Sequence, residues 1–378
     1  MEFSEQDHCF MARALQLAAR GLYSTDPNPR VGCVLVREGI VVGEGWHERA
    51  GGPHAEIAAL RDAGDAARGA VAYVTLEPCC HQGRTPPCSD ALIAAGIKTM
   101  IAAMPDPNPL MAGKGLGQLQ AAGLSVASGL NAAQAAALNP GYIRRMQSRR
   151  PWVRCKMAMS LDGGTASSGG ESKWITSADA RQDGQQLRAR SSAIMTGIGT
   201  VLADDPAMNV RRGNDEQQRQ PLRVVVDSQL RISPQARTLQ LPGEVLIVTA
   251  CADQRKIQAL QRPGVQVCQL PGDDGRVDLA ALLAYLAAQQ NNEVLLEAGA
   301  TLSGAMISAG LVDELIVYMA PRLLGDRARG LFTLPGVSQL ADAVALAVQD
   351  IRAVGDDWRI TARVAPELSS DTSRSNQG

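Results

Sequence analysis

Apolar residues in the segment 7–20 fall at Phe10, Met11, Ala14, Leu15, Leu17 and Ala18. That spacing places them on one face of an α-helix, which Gly21 ends. The pattern then shortens to strands. Segments 31–36 and 40–46 are rich in Val and Ile and are separated by Arg37-Glu38-Gly39, which predicts a β-hairpin. A second helix is expected to start near Pro53, a residue suited to a first turn, and to run through HAEIAALRDAG. Beyond it the pattern predicts a strand at 71–76, a helix at 88–95, a strand at 97–102, a helix at 115–122 and a strand at 124–127. This order describes an α/β sandwich.

The stretch RRMQSRRP, residues 144–151, is basic and closed by a proline, and it marks a domain boundary. The plainer reading is a solvated helix end running into a strand. After it, strands are predicted at 153–159, 193–196, 223–226, 245–249, 265–270, 293–297 and 314–319, with helices at 178–190 and 278–289 among them. A terminal hairpin is expected over 351–364, turning at Gly355-Asp356-Asp357. This is a second α/β domain. The end of the chain, PELSSDTSRSNQG, is too polar to bury and is expected to be disordered.

With 378 residues, 45% of them hydrophobic and 20% charged, the chain can fill two ordinary cores. Lys and Arg against Asp and Glu number 14 and 13 over residues 1–150, and 23 and 25 over 151–378. Neither half has the basic excess of a dedicated nucleic-acid binder. No apolar run reaches the ~18 residues of a membrane helix. The start, MEFSEQDHCF, is unlike a signal peptide. A cytoplasmic enzyme is therefore expected, its thiols reduced. Cys79, Cys80 and Cys88 cluster, whereas Cys9, Cys33, Cys155, Cys251 and Cys268 are scattered fillers.

Two segments carry chemistry: Pro53-His54-Ala55-Glu56, and the string PCCHQGRTPPC from Pro78 to Cys88. One imidazole (His54) and two thiolates (Cys79, Cys88) suit Zn²⁺ and leave a fourth position open for water, as in a catalytic site. The exposed amides at the start of the predicted helix favour a thiolate at Cys88. Glu56 is placed to move protons rather than to bind metal. H-x-E followed by P-C-x-x-C marks zinc nucleobase deaminases. Here eight residues, not two, separate Cys79 from Cys88. A structural zinc site would need a fourth ligand, for which His81 is the candidate; His81 is read instead as a substrate contact in the pocket wall. His8 and His47 lack such context and are read as surface or core residues.

The string PCCHQGRTPPC, with Asn28-Pro29-Arg30-Val31-Gly32 and His54-Ala55-Glu56 in the same order, resembles the deaminase of riboflavin biosynthesis. That family acts on a diaminopyrimidinone nucleotide and has this longer loop. The resemblance implies a cytidine-deaminase-like α/β/α sandwich, with Asn28 and His81 facing substrate. Cys80 stands where the family commonly has another small polar residue, and it is left out of the ligand set.

In the second domain, Gly197-Ile198-Gly199-Thr200 and Gly299-Ala300-Thr301-Leu302-Ser303-Gly304 each follow a strand and precede a helix, where backbone amides can hold phosphate. On their own such glycines more often serve turns. Segments 156–163, 170–177, 202–206 and 321–325, with Asp227-Ser228 and Glu297-Ala298-Gly299, resemble the reductase half of the same bifunctional riboflavin enzyme. The resemblance implies a dihydrofolate-reductase-like α/β domain that uses NADPH to reduce the ribose to a ribityl chain. By motif position, Ala158, Trp174, Thr200, Asp204, Ser228 and the loop Gly299, Ala300, Thr301, Leu302 and Ser303 are expected to face NADPH. Ser172, Arg188, Met208, Arg211 and Glu297 are expected to face substrate, with Arg188 and Arg211 clamping its phosphate. Lys156, Asp162 and Glu297 are polar candidates near the sugar, or ordinary charges at strand ends. Gly164 stands where the family often has a basic residue.

The expected organisation is a zinc-dependent deaminase at 1–147, an NADPH-dependent reductase at 151–365 and a tail at 366–378. The expected partner is a small phosphorylated pyrimidine, with no nucleic acid and no membrane; homo-oligomerisation stays open. The alternative is a nucleic-acid-editing zinc deaminase with a C-terminal recognition module.

Overall fold

The computed structural model describes residues 2–81, 86–171, 175–211 and 219–364. The expected tail lies outside them. The chain divides into two compact units, Met1–Trp152 with Leu286–Asn292, and Val153–Tyr285 with Glu293–Gly378.

The first unit carries helices α1 (Glu5–Ala19), α2 (Ala55–Ala63), α3 (Cys88–Ala94), α4 (Lys114–Ala121), α5 (Ala132–Leu138) and α6 (Pro140–Ser148). Its strands are β1 (Gly32–Arg37), β2 (Ile40–Trp46), β3 (Val71–Val74), β4 (Thr99–Ala102) and β5 (Ser125–Ser128), in spatial order β2-β1-β3-β4-β5. β1 runs antiparallel to β2 and β3, and β3, β4 and β5 run parallel. Successive side chains of a strand point to opposite faces, so the sheet has two cores. Cys33 and Leu35 pack with Ala55 and Ala59 of α2, Leu92 of α3 and Leu119 of α4. Val34 and Val36 pack with Met11, Ala14 and Leu17 of α1 and Ala135 of α5. The result is a three-layer α/β/α sandwich.

Local chemistry fixes the ends. Ser4 caps α1, and Asp7 returns the bond to complete a capping box, so the helix starts at Glu5 rather than at Asp7. Two helices, α5 and α6, go beyond the sequence reading. The basic stretch taken as a boundary is largely helical, since α6 runs to Ser148 and a strand begins at Trp152. The two units part just after that stretch, between Trp152 and Val153.

The second unit is built on β6 (Trp152–Ser160), β7 (Ala193–Gly197), β8 (Leu222–Val226), β9 (Val245–Thr249), β10 (Val265–Gln269), β11 (Glu293–Leu296), β12 (Glu314–Ala320), β13 (Leu346–Val354) and β14 (Asp357–Val364). Their spatial order is β10-β9-β8-β7-β11-β6-β12-β14-β13. The strands from β10 to β11 run parallel, as do β6 and β12. β14 and β13 close that end antiparallel. Around them lie α7 (Ala178–Arg190), α8 (Ile198–Asp204), α9 (Arg237–Gln240), α10 (Gln254–Leu260), α11 (Leu279–Ala288) and α12 (Ala300–Ser308). Val225, Val245 and Ile247 pack with Val201, Ile257 and Leu260, while Leu295, Ile316 and Tyr318 pack with Ala180 and Leu187 of α7.

Candidate active site

Three elements of the first unit bring their ends together. His54 is the N-cap of α2, Cys79 follows β3, and Cys88 is the first residue of α3. The helix α2 lies close against β2 because that strand carries glycine where they touch. A Cβ on Gly45 would stand 2.4 Å from the Ala55 carbonyl oxygen and 2.5 Å from the Ala59 nitrogen. The stretch before Cys79 is held by Glu77, whose buried carboxylate accepts the N–H groups of Asp106, Gly113, Gly115 and Leu116. Gly115 has no room for a side chain, since a Cβ there would stand 2.1 Å from the Pro78 carbonyl oxygen. Beyond the loop, the backbone N–H and hydroxyl of Ser89 both donate to the Cys79 carbonyl, at 3.1 and 3.2 Å.

His54 Nδ1 lies 3.2 Å from Cys88 Sγ and 3.5 Å from Cys79 Sγ, and the three donor atoms fall within 4.8 Å of one another. Tetrahedral zinc bonds of about 2.3 Å to sulfur and about 2.05 Å to nitrogen give nitrogen–sulfur edges of roughly 3.6 Å. The donor set therefore fits Zn²⁺. Among the described residues no fourth His, Cys, Asp or Glu joins the group, Cys80 and His81 included.

Charge at the site is set by close packing. Cys79 is drawn down, first by its hydrogen bond with Cys88 and then by His54, against the opposing effect of burial. Cys88 is pushed up by that bond and by burial. The helix-start amide acts on the other sulfur: the Cys88 N–H donates to Cys79 Sγ at 3.4 Å. His54 is raised by its contact with Cys79. Glu56, two residues on in the first turn of α2, is 3% exposed, and burial pushes it up to about 7. A carboxyl poised there gives and takes a proton at neutral pH.

His54, Glu56 and Cys79 line a cavity of about 670 Å³ in the first unit, and Asn28 and His81 line it too. So does His47, which the sequence did not single out. Its Nε2 accepts from Asn28 Nδ2 at 3.0 Å, its Nδ1 donates to the Pro53 carbonyl at 2.9 Å, and its ring meets that of His54 edge-on at 5.5 Å. No spacing rule flags a lone histidine at the end of β2. Asp106, Asn108 and Tyr142 complete the polar wall, with Tyr142 donating to Asp106 at 3.1 Å.

In the second unit the two glycine loops come together. β7 and β11 pair in parallel, and a Cβ on Gly197 would stand 3.6 Å from Leu302 Cβ, one on Gly299 3.9 Å from Thr200 Oγ1. The starts of α8 and α12 are therefore neighbours. Ala158, Asp204, Ser228, Ala300 and Leu302 are partly exposed, and Thr301 is exposed. Ser303 is buried, and its hydroxyl donates to the Ala298 carbonyl at 3.3 Å. Arg188 departs from the expectation. Its guanidinium donates to both carboxylate oxygens of Glu297, at 3.0 and 2.5 Å, and to the Asn209 carbonyl at 3.0 Å. Two groups expected to face substrate thus largely satisfy each other. Met208 is buried with φ 51°, and Arg211 is exposed. Asp162 accepts from Ser160, Leu324 and Gly325, the work of a turn cap rather than of a sugar contact. Ser172 and Trp174 lie outside the described residues.

Residues 151–360 match the family model of the RibD C-terminal domain, and residues 4–104 match that of the cytidine and deoxycytidylate deaminase zinc-binding region. The chain is similar to the riboflavin biosynthesis protein RibD of Escherichia coli strain K12, 52% identical over 362 residues that cover 93% of this chain and 98% of that protein. It is 49% identical to the RibD of Haemophilus influenzae over 371 residues, 96% of this chain and 98% of that one. Among solved structures, Acinetobacter baumannii RibD matches with a TM-score of 0.89 at 45% identity, over 96% of this chain and 99% of that chain. A deaminase/5-amino-6-(5-phosphoribosylamino)uracil reductase from Thermotoga maritima matches with a TM-score of 0.85 at 30% identity, over 95% and 99% of the two chains.

Proposed function

The chain belongs to the RibD family of riboflavin biosynthesis proteins, bifunctional deaminase–reductases, and on that premise we propose how its residues divide the work. A cytidine-deaminase-like domain is followed by a RibD reductase domain. In the proposed reading, residues 1–147 deaminate a diaminopyrimidinone ribonucleotide, and residues 151–365 use NADPH to reduce the ribosyl group of the resulting aminouracil nucleotide to ribityl. His54 Nδ1, Cys79 Sγ and Cys88 Sγ hold the metal. Zinc, when bound, supplies the Lewis acidity that makes water nucleophilic at neutral pH.

Glu56 takes a proton from water, passes it to the ring nitrogen and later delivers one to the departing ammonia. Its raised carboxyl suits both directions of transfer. Asn28 and His81 orient the substrate, and the buried wall keeps bulk water from the reacting atoms. In the second unit the paired loops at Gly197–Thr200 and Gly299–Leu302 offer amides to the cofactor phosphates. Asp204 and Ser228 flank them, with Ala158 facing the cofactor. The Arg188–Glu297 pair presents a fixed polar wall to the sugar, which leaves Arg211 as the readier phosphate contact. Among the described residues no helix is long and apolar enough to cross a membrane. Nucleic-acid editing is not favoured, because the C-terminal half matches a reductase rather than a recognition module.

The observation that carries the reading is the convergence of three zinc donors, two of which line the cavity together with the buried, proton-bearing Glu56. The test supplies the diamino substrate with NADPH and follows ammonia release and NADPH oxidation separately. Both are expected, and ammonia is expected first. Loss of either activity in a zinc-loaded preparation overturns the corresponding half.

A further inference from the structure

A ribonucleotide brings a phosphate into the cavity of the first unit, whose wall is poor in positive charge. Among its described lining residues Glu56, Glu77 and Asp106 are acidic, and Arg145 is the one arginine, with no lysine beside it. Tyr142, Arg145 and Met146 line the cavity together, three positions that share a face of α6. Arg145 is held by an amide rather than by an acid. Its Nε donates to Asn292 Oδ1 at 2.6 Å, and its guanidinium carbon stands 5.9 Å from the Tyr142 ring centroid. Among the described residues no carboxylate pairs with it, and its two terminal nitrogens have no partner.

Asn292 belongs to the short segment Leu286–Asn292, which packs into the first unit although the chain on either side of it belongs to the second. Its amide has a fixed orientation. Nδ2 donates to the Pro27 carbonyl at 2.8 Å and to Asp26 Oδ1 at 3.1 Å, which turns Oδ1 towards Arg145. Gln290 of the same segment lines the cavity in a left-handed conformation, φ 62°. A residue other than glycine stays in that conformation only where its surroundings impose it. Here the Gln290 N–H donates to the Ala287 carbonyl at 2.9 Å, and the Asn291 N–H and Nδ2 both donate to the Leu286 carbonyl at 3.0 Å.

Building on the deaminase reading of this cavity, we propose that Arg145 binds the phosphate of the deaminase substrate and that Asn292 positions it. A guanidinium anchored through Nε keeps its terminal nitrogens as a planar fork, which takes two phosphate oxygens at once. A neutral anchor suits the task, because a carboxylate would cancel the charge that the phosphate needs. The segment Leu286–Asn292 is thereby part of the deaminase site, and through it the nucleotide is preferred over its nucleoside.

Steady-state deamination of the diamino nucleotide, and of the same compound without its phosphate, tests this in the full, zinc-loaded chain. Arg145→Gln raises the Michaelis constant for the nucleotide roughly tenfold to a hundredfold, the usual worth of hydrogen bonds to a charged group, and changes kcat little. Turnover of the dephosphorylated compound is unchanged, so the preference for the nucleotide disappears. Arg145→Lys restores part of it, as a point charge without the fork. Asn292→Ala shifts the preference in the same direction by a smaller factor, with zinc content and NADPH oxidation as in wild type. Inorganic phosphate competes with the nucleotide in wild type and not in Arg145→Gln. A nucleotide preference that survives Arg145→Gln, an equal loss on both compounds, or an Asn292→Ala enzyme indistinguishable from wild type each overturn the inference and leave the deaminase reading in place. A wild type that releases no ammonia from the nucleotide removes that reading, and the inference with it.

Discussion

Glu56 and His54 share one turn of α2, yet the structure gives them different tasks through their surroundings. His54 faces two sulfurs, and Glu56 is buried beside all three donors. Glu56→Gln should keep the zinc and the cavity while lowering ammonia release by about 10²–10⁴-fold, the usual size of a general acid–base contribution. Reduction of the pre-deaminated intermediate should be unchanged, and a near-normal deamination rate would refute the role. Glu297 presents the opposite case. Burial alone would raise its carboxyl, but the Arg188 charge outweighs that and holds it near 2, against an ordinary 4.5. Its pairing therefore stabilises the fold fully above the ordinary value, and that contribution is lost as pH falls through about 2. Urea midpoints of Glu297→Gln should vary less with pH across that acid range than those of wild type. A parallel pair of curves would show that the pairing is not linked to folding. Arg211→Ala should raise the Michaelis constant of the reductase for its phosphorylated substrate; an unchanged constant would remove Arg211 from the phosphate site.

Elements were legible in the sequence wherever one face is buried and the other wet. The stripe on α1 belongs to this kind, whereas β1, buried on both faces, was read from its run of Val and Leu. The rest was hidden for identifiable reasons. In α5 only Ala135 is buried, so the segment carries no stripe to read. β13 is exposed on both faces and starts at Leu346, five residues before the predicted hairpin, because nothing in its own chain imposes alternation. The ligands themselves were readable from spacing, but His47 was not, and neither was the pairing of Arg188 with Glu297, since both depend on which strands become neighbours. The bed under Cys79 likewise emerges only in three dimensions. Gly115→Ala drives a methyl group into the Pro78 carbonyl, 2.1 Å away, at the start of α4. Zinc content measured after gel filtration should fall well below one per chain in that variant while the reductase stays active. Full zinc occupancy would show that the approach of α4 does not govern Cys79.

At the scale of the molecule, each unit has sheet, helices and apolar clusters of its own. Calorimetry should resolve two unfolding transitions, because ligands stabilise only the unit that binds them. Stripping zinc with a chelator should lower one transition and leave the other in place, and a single transition that shifts as a whole would contradict this independence. The double bond from Ser89 to the Cys79 carbonyl has a broader consequence. It works as a clasp, closing the chain into a ring just beyond the two sulfurs. Whatever runs around that ring can be lengthened, shortened or exchanged while the clasp keeps the sulfurs in place. Relatives can therefore change what they recognise through the ring without giving up their grip on the ion, and a deaminase with a shorter ring should accept this longer one as a graft.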